Sequence, residues 1–394
     1  MNNDDVVIVA AKRTPAGAML GNLSSLTAPE LGAYAHKAVF AQAGISPEDI
    51  DEVISGCVLQ AGIGQAPARQ AAIAAGVPFS KGAMTINKMC GSGMKAVMLA
   101  HDLIKANSAN VVLAGGMESM SNAPYLLQKA RSGYRLGHGE IKDHMFLDGL
   151  EDAYDKGKLM GYFAEQTAKK FNFTREAQDE LAYNSMSRAL KAQENNLFAE
   201  EITPVKVVSR KNEIVIDKDE GPDYAKLEKI AQLKPAFLTD GTVTAGNSSS
   251  ISDGAASLLI MSAAEAQKRG LTPLARIVGH ASFAQEPQWF TTAPAGAIRK
   301  LMQKINWLPE DVDLYEINEA FAVVALAAIH DLELDVSKVN IHGGACALGH
   351  PIGASGARLL VTLIYALKQQ KMKRGIASLC IGGGEATAMA IEIM

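Results

Sequence analysis

Three short segments carry residues that could do covalent chemistry. Cys90 lies in Asn87-Lys88-Met89-Cys90-Gly91-Ser92-Gly93, Cys380 in Cys380-Ile381-Gly382-Gly383-Gly384, and His350 in Gly349-His350-Pro351-Ile352-Gly353. In each, an apolar run meets glycine. A thiol at such a strand-to-helix junction faces free backbone N–H groups and the positive end of a helix dipole, both of which lower its pKa. A nucleophile and a base are therefore available. An ordinary free cysteine is a small buried hydrophobe, but Cys-Gly-Ser-Gly at a helix start favours the nucleophile. Cys380 taken alone divides evenly between packing and chemistry; the glycines after it let the backbone come close to a ligand and offer N–H groups to it. Asn318, at the end of the strand-like run Leu314–Ile317, has two readings: it holds a water or donates to an oxyanion, or it caps the helix that follows. Cys57 and Cys346 read as packing residues, and no cluster has metal-ligand spacing. Gly62-Ile63-Gly64 begins like a dinucleotide fingerprint but lacks its third glycine, and there is no phosphate-cradling loop.

These residues need elements to hold them. Val6–Ala10, Ala83–Lys88, Asn110–Gly116, Lys338–His342 and Ile376–Ile381 read as strands. Met94–Ile104 and Ala357–Leu367 read as helices apolar on nearly every face, which must be covered on all sides. A pair of them sandwiched between two sheets meets that need and brings Cys90 and the His350 loop together. A weak internal repeat agrees. Ser46-Pro47-Glu48-Asp49-Ile50-Asp51 recurs as Leu308-Pro309-Glu310-Asp311-Val312-Asp313, Cys90-Gly91-Ser92-Gly93 as Gly353-Ala354-Ser355-Gly356, and Val111–Gly116 as Ser378–Gly383. The chain reads as a duplicated α/β unit, with residues 1–120 plus 245–271 as one half and 272–394 as the other. The more charged stretch 121–244 reads as an inserted lid or substrate domain, with an amphipathic helix over Thr174–Glu194 and a polar hairpin over Glu201–Asp219.

Composition narrows the classes. With 394 residues the chain can build several large cores. Its net charge of −4 has no long like-charge block, so neither nucleic acid nor a membrane surface is an expected partner. Four scattered cysteines make no disulfide framework and suit a reducing compartment. No apolar stretch approaches the ~20 residues of a membrane span, and the first residues enter a strand rather than a leader. A cytoplasmic enzyme is expected.

Together the motifs resemble the thiolase family from end to end. The resemblance rests on Arg13-Thr14-Pro15-Ala16-Gly17, Gly64-Gln65 with Ala68-Arg69-Gln70, Asn87…Cys90-Gly91-Ser92-Gly93, Gly115-Gly116-Met117-Glu118-Ser119-Met120, Thr244-Ala245-Gly246-Asn247, Asn318-Glu319-Ala320-Phe321, Gly349–Gly356 and Cys380–Gly384. It implies a duplicated five-layered αβαβα fold, an acyl-cysteine intermediate, and a dimer or tetramer of identical chains. It also implies acyl-CoA substrates, coenzyme A as substrate and product, and no permanently bound cofactor. In that frame Cys90 is the nucleophile, His350 takes its proton, Cys380 is the acid/base at the carbon beside the second thioester, Asn318 holds a water, and the N–H groups of Cys90 and Gly382 hold an oxyanion. Met160, Ala245, Ser249, Ala320 and Phe321 are carried over as substrate contacts. The acetyl-transferring branch fits best, with a degradative enzyme for longer 3-ketoacyl chains as the alternative. A non-catalytic acyl-CoA or lipid-binding module on the same fold would not need Cys90, His350 and Cys380 together. Decarboxylating relatives place a second histidine where Asn318 stands.

The chain departs from the common short-chain pattern in three places. Leu159 replaces the histidine of His-Met-Gly, Gly221-Pro222-Asp223 follows Asp219-Glu220 where an arginine is usual, and Ser248-Ser249-Ser250 replaces Ala-Ser-Gly.

Overall fold

The computed structural model describes residues 2–209 and 212–394. Hydrophobic alternation builds the main sheet. In the strand Val6–Arg13, Val6 and Ile8 turn to one face and Val7 and Val9 to the other, and each pair joins a different core. The same alternation runs through Val111–Ser119 and Ser252–Ser262, so both faces are covered.

The strand order displays the repeat. In the first half it runs Gly82–Ile86, Glu52–Gly56, Val111–Ser119, Ser252–Ser262, Val6–Arg13. In the second half it runs Leu314–Ile317, Arg374–Ile381, Glu385–Ile393, Ala275–Ala284, which matches the first once the strand corresponding to Gly82–Ile86 is left out. Where two separate sheets were expected, the halves are one continuous ten-stranded sheet, joined by the pairs Val7 to Arg276 and Ile8 to Ala275. The missing strand is the predicted Lys338–His342, reduced to a single bridge between Val339 and Tyr315. The cause is Asn340, which turns the chain at φ 49°. Its side-chain amide then takes the place of strand pairing, accepting from Ile317 N and donating to Ile317 O, both at 2.8 Å.

Between the half-sheets lie the helices Ser92–Lys105 and Ile352–Gln370. Together with apolar side chains from both half-sheets they form the central core. Ala28–Ala43 and Pro67–Ala74 cover the outer face of the first half, Ala293–Ile305 and Ala322–Leu332 that of the second. These are the five layers that the resemblance implies. Ile352–Gln370 is wrapped as expected, being buried from Ile352 to Leu367 without a break. The other inner helix is less covered, because its last turns leave the sandwich and expose Asp102 and Lys105.

Glycines set how closely the inner helices approach. A Cβ on Gly93 would lie 2.8 Å from Ala357 N, and one on Gly356 would strike the Met94 backbone. Their starts therefore cross at backbone contact.

In the stretch 121–244, Thr174 caps the helix Arg175–Glu194 by accepting from Ala177 N at 3.2 Å. The hairpin is Val205–Ser209 with Asn212–Ile216; residues 210 and 211 of the predicted segment lie outside the described residues. A second helix, Met160–Phe171, packs Phe163 and Ala164 with Cys380 and Phe321. Among the described residues no helix is long and apolar enough to cross a membrane.

Candidate active site

The two inner-helix starts and the end of Arg374–Ile381 open on one cavity of about 650 Å³. Cys90, His350, Cys380 and Gly382 line it, as do Met160, Ala245, Ser249, Ala320 and Phe321. Asn318 lies behind the wall, fully buried beside the His350 ring. Ser249 is held by donating its N–H to Ala320 O at 2.9 Å, which ties the serine segment to the Asn318–Phe321 loop.

Cys90 sits just before Gly91, the N-cap of Ser92–Lys105, and just after Met89, a non-glycine residue at φ 48°. Left-handed backbone at such a residue costs of order 1–3 kcal/mol. Asn87 Oδ1 braces it by accepting from Met89 N at 2.9 Å. The backbone N–H groups of Gly382 and of Cys90 itself favour a thiolate. Burial outweighs them and pushes the thiol up to about 11, so the lowered pKa expected from the helix start is not found. Cys90 therefore rests as a thiol.

The His350 ring is held from the helix that follows it. Ser355, one turn into the following helix, gives its own hydroxyl hydrogen to Pro351 O at 2.9 Å. Its oxygen is then free to accept from Nδ1 of His350 at 2.5 Å. That bond puts the ring hydrogen on Nδ1 and leaves Nε2 without one. Burial, helped by the Arg358 charge, pushes the imidazole down to about 3 and keeps it neutral. Cys380 is also a resting thiol, raised well above its ordinary value by burial and by Cys90 nearby.

Asn318 is not a helix cap, since Phe321 occupies that position for Ala322–Leu332. Its Oδ1 accepts from Arg358 Nη2 at 3.5 Å, and this turns its NH₂ toward His350, 3.4 Å from Nε2. Arg358, wholly buried, also donates to Glu316 at 3.4 Å. Burial pushes the Glu316 carboxyl up to about 8. Farther back, Arg13 donates to Asp219 at 2.7 and 2.9 Å and to Glu201 at 2.6 Å. Asp223 caps a short helix through Ala225 N at 2.8 Å.

Sequence reasoning missed the groups that hold this arrangement rigid. Glu118, fully buried, accepts from Val58 N, Leu59 N and Gly353 N at 2.9–3.1 Å, so it bolts a first-half loop to the start of the second-half inner helix. Glu319 accepts from Ser185 Oγ at 2.6 Å, Asn340 Nδ2 at 2.7 Å and Cys346 N at 3.1 Å. A carboxylate inside an apolar run was the available signal for Glu118. Ser355 could have been found from its alignment with Ser92 in the repeat.

Comparison with known proteins gives the same picture. The thiolase N-terminal domain matches residues 6–264 and the thiolase C-terminal domain residues 271–393. Acetyl-CoA acetyltransferase of Cupriavidus necator is 50% identical over 98% of this chain and 99% of its own length. That of Allochromatium vinosum is 48% identical over the whole of both chains. Acetyl-CoA acetyltransferase 1 of Arabidopsis thaliana is 50% identical over 99% of this chain and 94% of its own length. The crystal structure of the Bacillus anthracis acetyl-CoA acetyltransferase superposes with a TM-score of 0.97 at 45% identity, covering 99% of each chain.

Proposed function

The chain belongs to the thiolase family, and on that premise we propose that it interconverts two acetyl-CoA molecules with acetoacetyl-CoA and free coenzyme A. The observation that carries this reading is the shared cavity, in which a thiol with two backbone N–H groups that favour its thiolate meets a neutral imidazole and a second thiol. Cys90 Sγ attacks the thioester carbonyl as its proton passes to Nε2 of His350. The bond from that carbonyl carbon to the coenzyme A sulfur breaks, and Cys380 gives its proton to the departing sulfur. Its high pKa suits it to arrive as an acid and to remain as a strong base.

The Cys380 thiolate then takes a methyl proton from a second acetyl-CoA. The resulting carbanion attacks the acetyl-Cys90 carbonyl, a carbon–carbon bond forms, and the Cys90 sulfur leaves with the proton held by His350. Both thiols are restored. The N–H groups of Cys90 and Gly382 are assigned to the oxyanion of acyl transfer, each such donor being worth roughly 3 kcal/mol of barrier. Asn318, through a water, and His350 are assigned to the enolate.

In this reading Met160, Phe321, Ala320 and Ala245 bound the acyl group, Ser249 meets the pantetheine arm, and 121–244 forms the lid between the halves 1–120 plus 245–271 and 272–394. It extends to a cytoplasmic homodimer or homotetramer acting in lipid metabolism.

The test is a pair of half-reactions. With acetyl-CoA, Cys380→Ser should still gain the acetyl mass but should exchange methyl protons with solvent far more slowly than the unaltered enzyme. Cys90→Ser should gain no acetyl mass. Acylation surviving in the Cys90 variant and lost in the Cys380 variant would reverse the roles. Chain length is tested separately, each methylene being worth only ~1–3 kcal/mol. A kcat/KM on an eight-carbon 3-ketoacyl-CoA equal to that on acetoacetyl-CoA would overturn the short-chain assignment.

A further inference from the structure

Sequence spacing shows no metal-ligand cluster because the relevant residues are 178 positions apart and on different elements. His101 and Asp102 lie near the end of the Ser92–Lys105 helix, and His280 lies on the Ala275–Ala284 strand. Nδ1 of His101 is 3.0 Å from Oδ1 of Asp102 and 3.2 Å from Nε2 of His280, which is itself 2.9 Å from the same Oδ1. Three ligand atoms thus converge as a nearly equilateral triangle, with the two imidazole planes crossed at 86°. Donors bound about 2.1 Å from one ion at right or tetrahedral angles stand roughly 3.0 to 3.4 Å apart.

We propose that His101, Asp102 and His280 form a binding site for a divalent transition-metal ion of the zinc class, separate from the catalytic cavity. Two imidazoles and one carboxylate select such an ion over magnesium or calcium, which prefer all-oxygen shells. His280 is buried and His101 nearly so, while the Asp102 side chain is 52% exposed. The carboxylate side is therefore both the entry path and the place for water to complete the shell. Without metal, both rings can donate to the one Asp102 oxygen, so the three ligands are preorganised. Lys105 and Lys304 oppose added positive charge at the rings. Their amines are drawn to the carbonyls of Asp4 at 2.5 Å and His280 at 3.2 Å. A bound ion would clip the helix that begins beside the nucleophile to a strand of the other half, and so stabilise the fold by mass action.

The experiment uses full-length protein carrying Cys90→Ala, which removes the reactive thiol as a competing ligand. Zinc chloride is titrated calorimetrically, cobalt chloride by visible absorption, and Tm is followed with zinc. The expected result is one equivalent bound with Kd below about 100 µM, a raised Tm, and cobalt bands free of thiolate charge transfer. His280→Gln should weaken binding at least about 10-fold. Asp102→Asn, at an exposed position, should do the same without disturbing the fold. Binding weaker than about 100 µM, thiolate charge transfer, or affinity unchanged in both variants would overturn the site.

Discussion

The starts of the two inner helices are built to one plan and hold different groups. In the first, Ser92 gives its hydroxyl hydrogen to Met89 O at 2.6 Å and accepts from Lys88 N at 2.8 Å. In the second, Ser355 gives to Pro351 O and accepts from the ring of His350. The same serine thus braces a backbone amide in one half and orients an imidazole in the other. Cys90 and Gly353 are likewise counterparts, but Gly353 cannot carry a side chain. A Cβ there would lie 2.6 Å from Glu118 Oε2 and 2.9 Å from Met117 O. The duplicated scaffold therefore leaves room for a side chain at this position in one half only, and in the second half the imidazole that reaches the cavity comes from the preceding loop. Each loop turns through a left-handed residue, Gly349 without strain and Met89 at a cost, so of these two loops only the one before Cys90 is strained.

The largest test fills the empty counterpart. Gly353→Ala should abolish activity and lower Tm steeply, since its Cβ meets a carboxylate and backbone that cannot both retreat; overpacking of this kind costs ~1–3 kcal/mol or more. Near-normal kcat and Tm would show that the space argument is wrong.

Next comes Glu118→Gln, which replaces an acceptor of three amides by a group that repels one of them, at roughly 1–3 kcal/mol. Burial raises the Glu118 carboxyl from 4.5 to about 7. The folded state therefore holds a proton that the unfolded state releases, and this group's contribution to stability is complete below pH 4.5 and lost as pH rises to about 7. Denaturant unfolding of both proteins across that window should show the variant losing less stability with rising pH. A parallel decline in the two would remove Glu118 as the cause.

A paired substitution separates bracing from catalysis. Ser355→Ala and Ser92→Ala each remove a similar pair of hydrogen bonds, worth about 1 kcal/mol apiece, so their Tm losses should be similar. Their acylation rates should differ: Ser355→Ala frees the His350 tautomer and should slow acetylation of Cys90 by about 10-fold or more, whereas Ser92→Ala should change it little. Equal rate losses would mean that Ser355 has only a structural role.

The smallest effect is expected at Lys88 and Glu385, an ion pair that joins the Cys90 loop to the second half. The side chains are 25% and 37% exposed, and such pairs contribute about 1 kcal/mol or less. Lys88→Gln should shift Tm slightly and leave kcat near normal; a large fall in kcat would show that this contact, like Glu118, fixes the helix start.

Much of this protein was legible without coordinates. The short β-branched runs, the all-round apolar helices and the repeat pointed to the layered architecture, because each reflects a burial requirement that any fold of the chain must meet. The types and settings of Cys90, His350, Cys380 and Gly382 singled out four residues that the fold brings to one cavity. Tertiary structure alone decided what burial and distant contact control. The Cys90 thiol rises to about 11 because the cavity wall removes water that a helix start by itself would leave in place. Lys338–His342 fails as a strand because an amide at Asn340 satisfies Ile317 across the fold. Asn318 faces His350 because Arg358, from another element, holds its other end. His101 and His280 meet only when the helix of one half is laid against a strand of the other. Periodicity and local spacing carry the first kind of information; charge state, side-chain orientation and convergence depend on neighbours that sequence order keeps far apart.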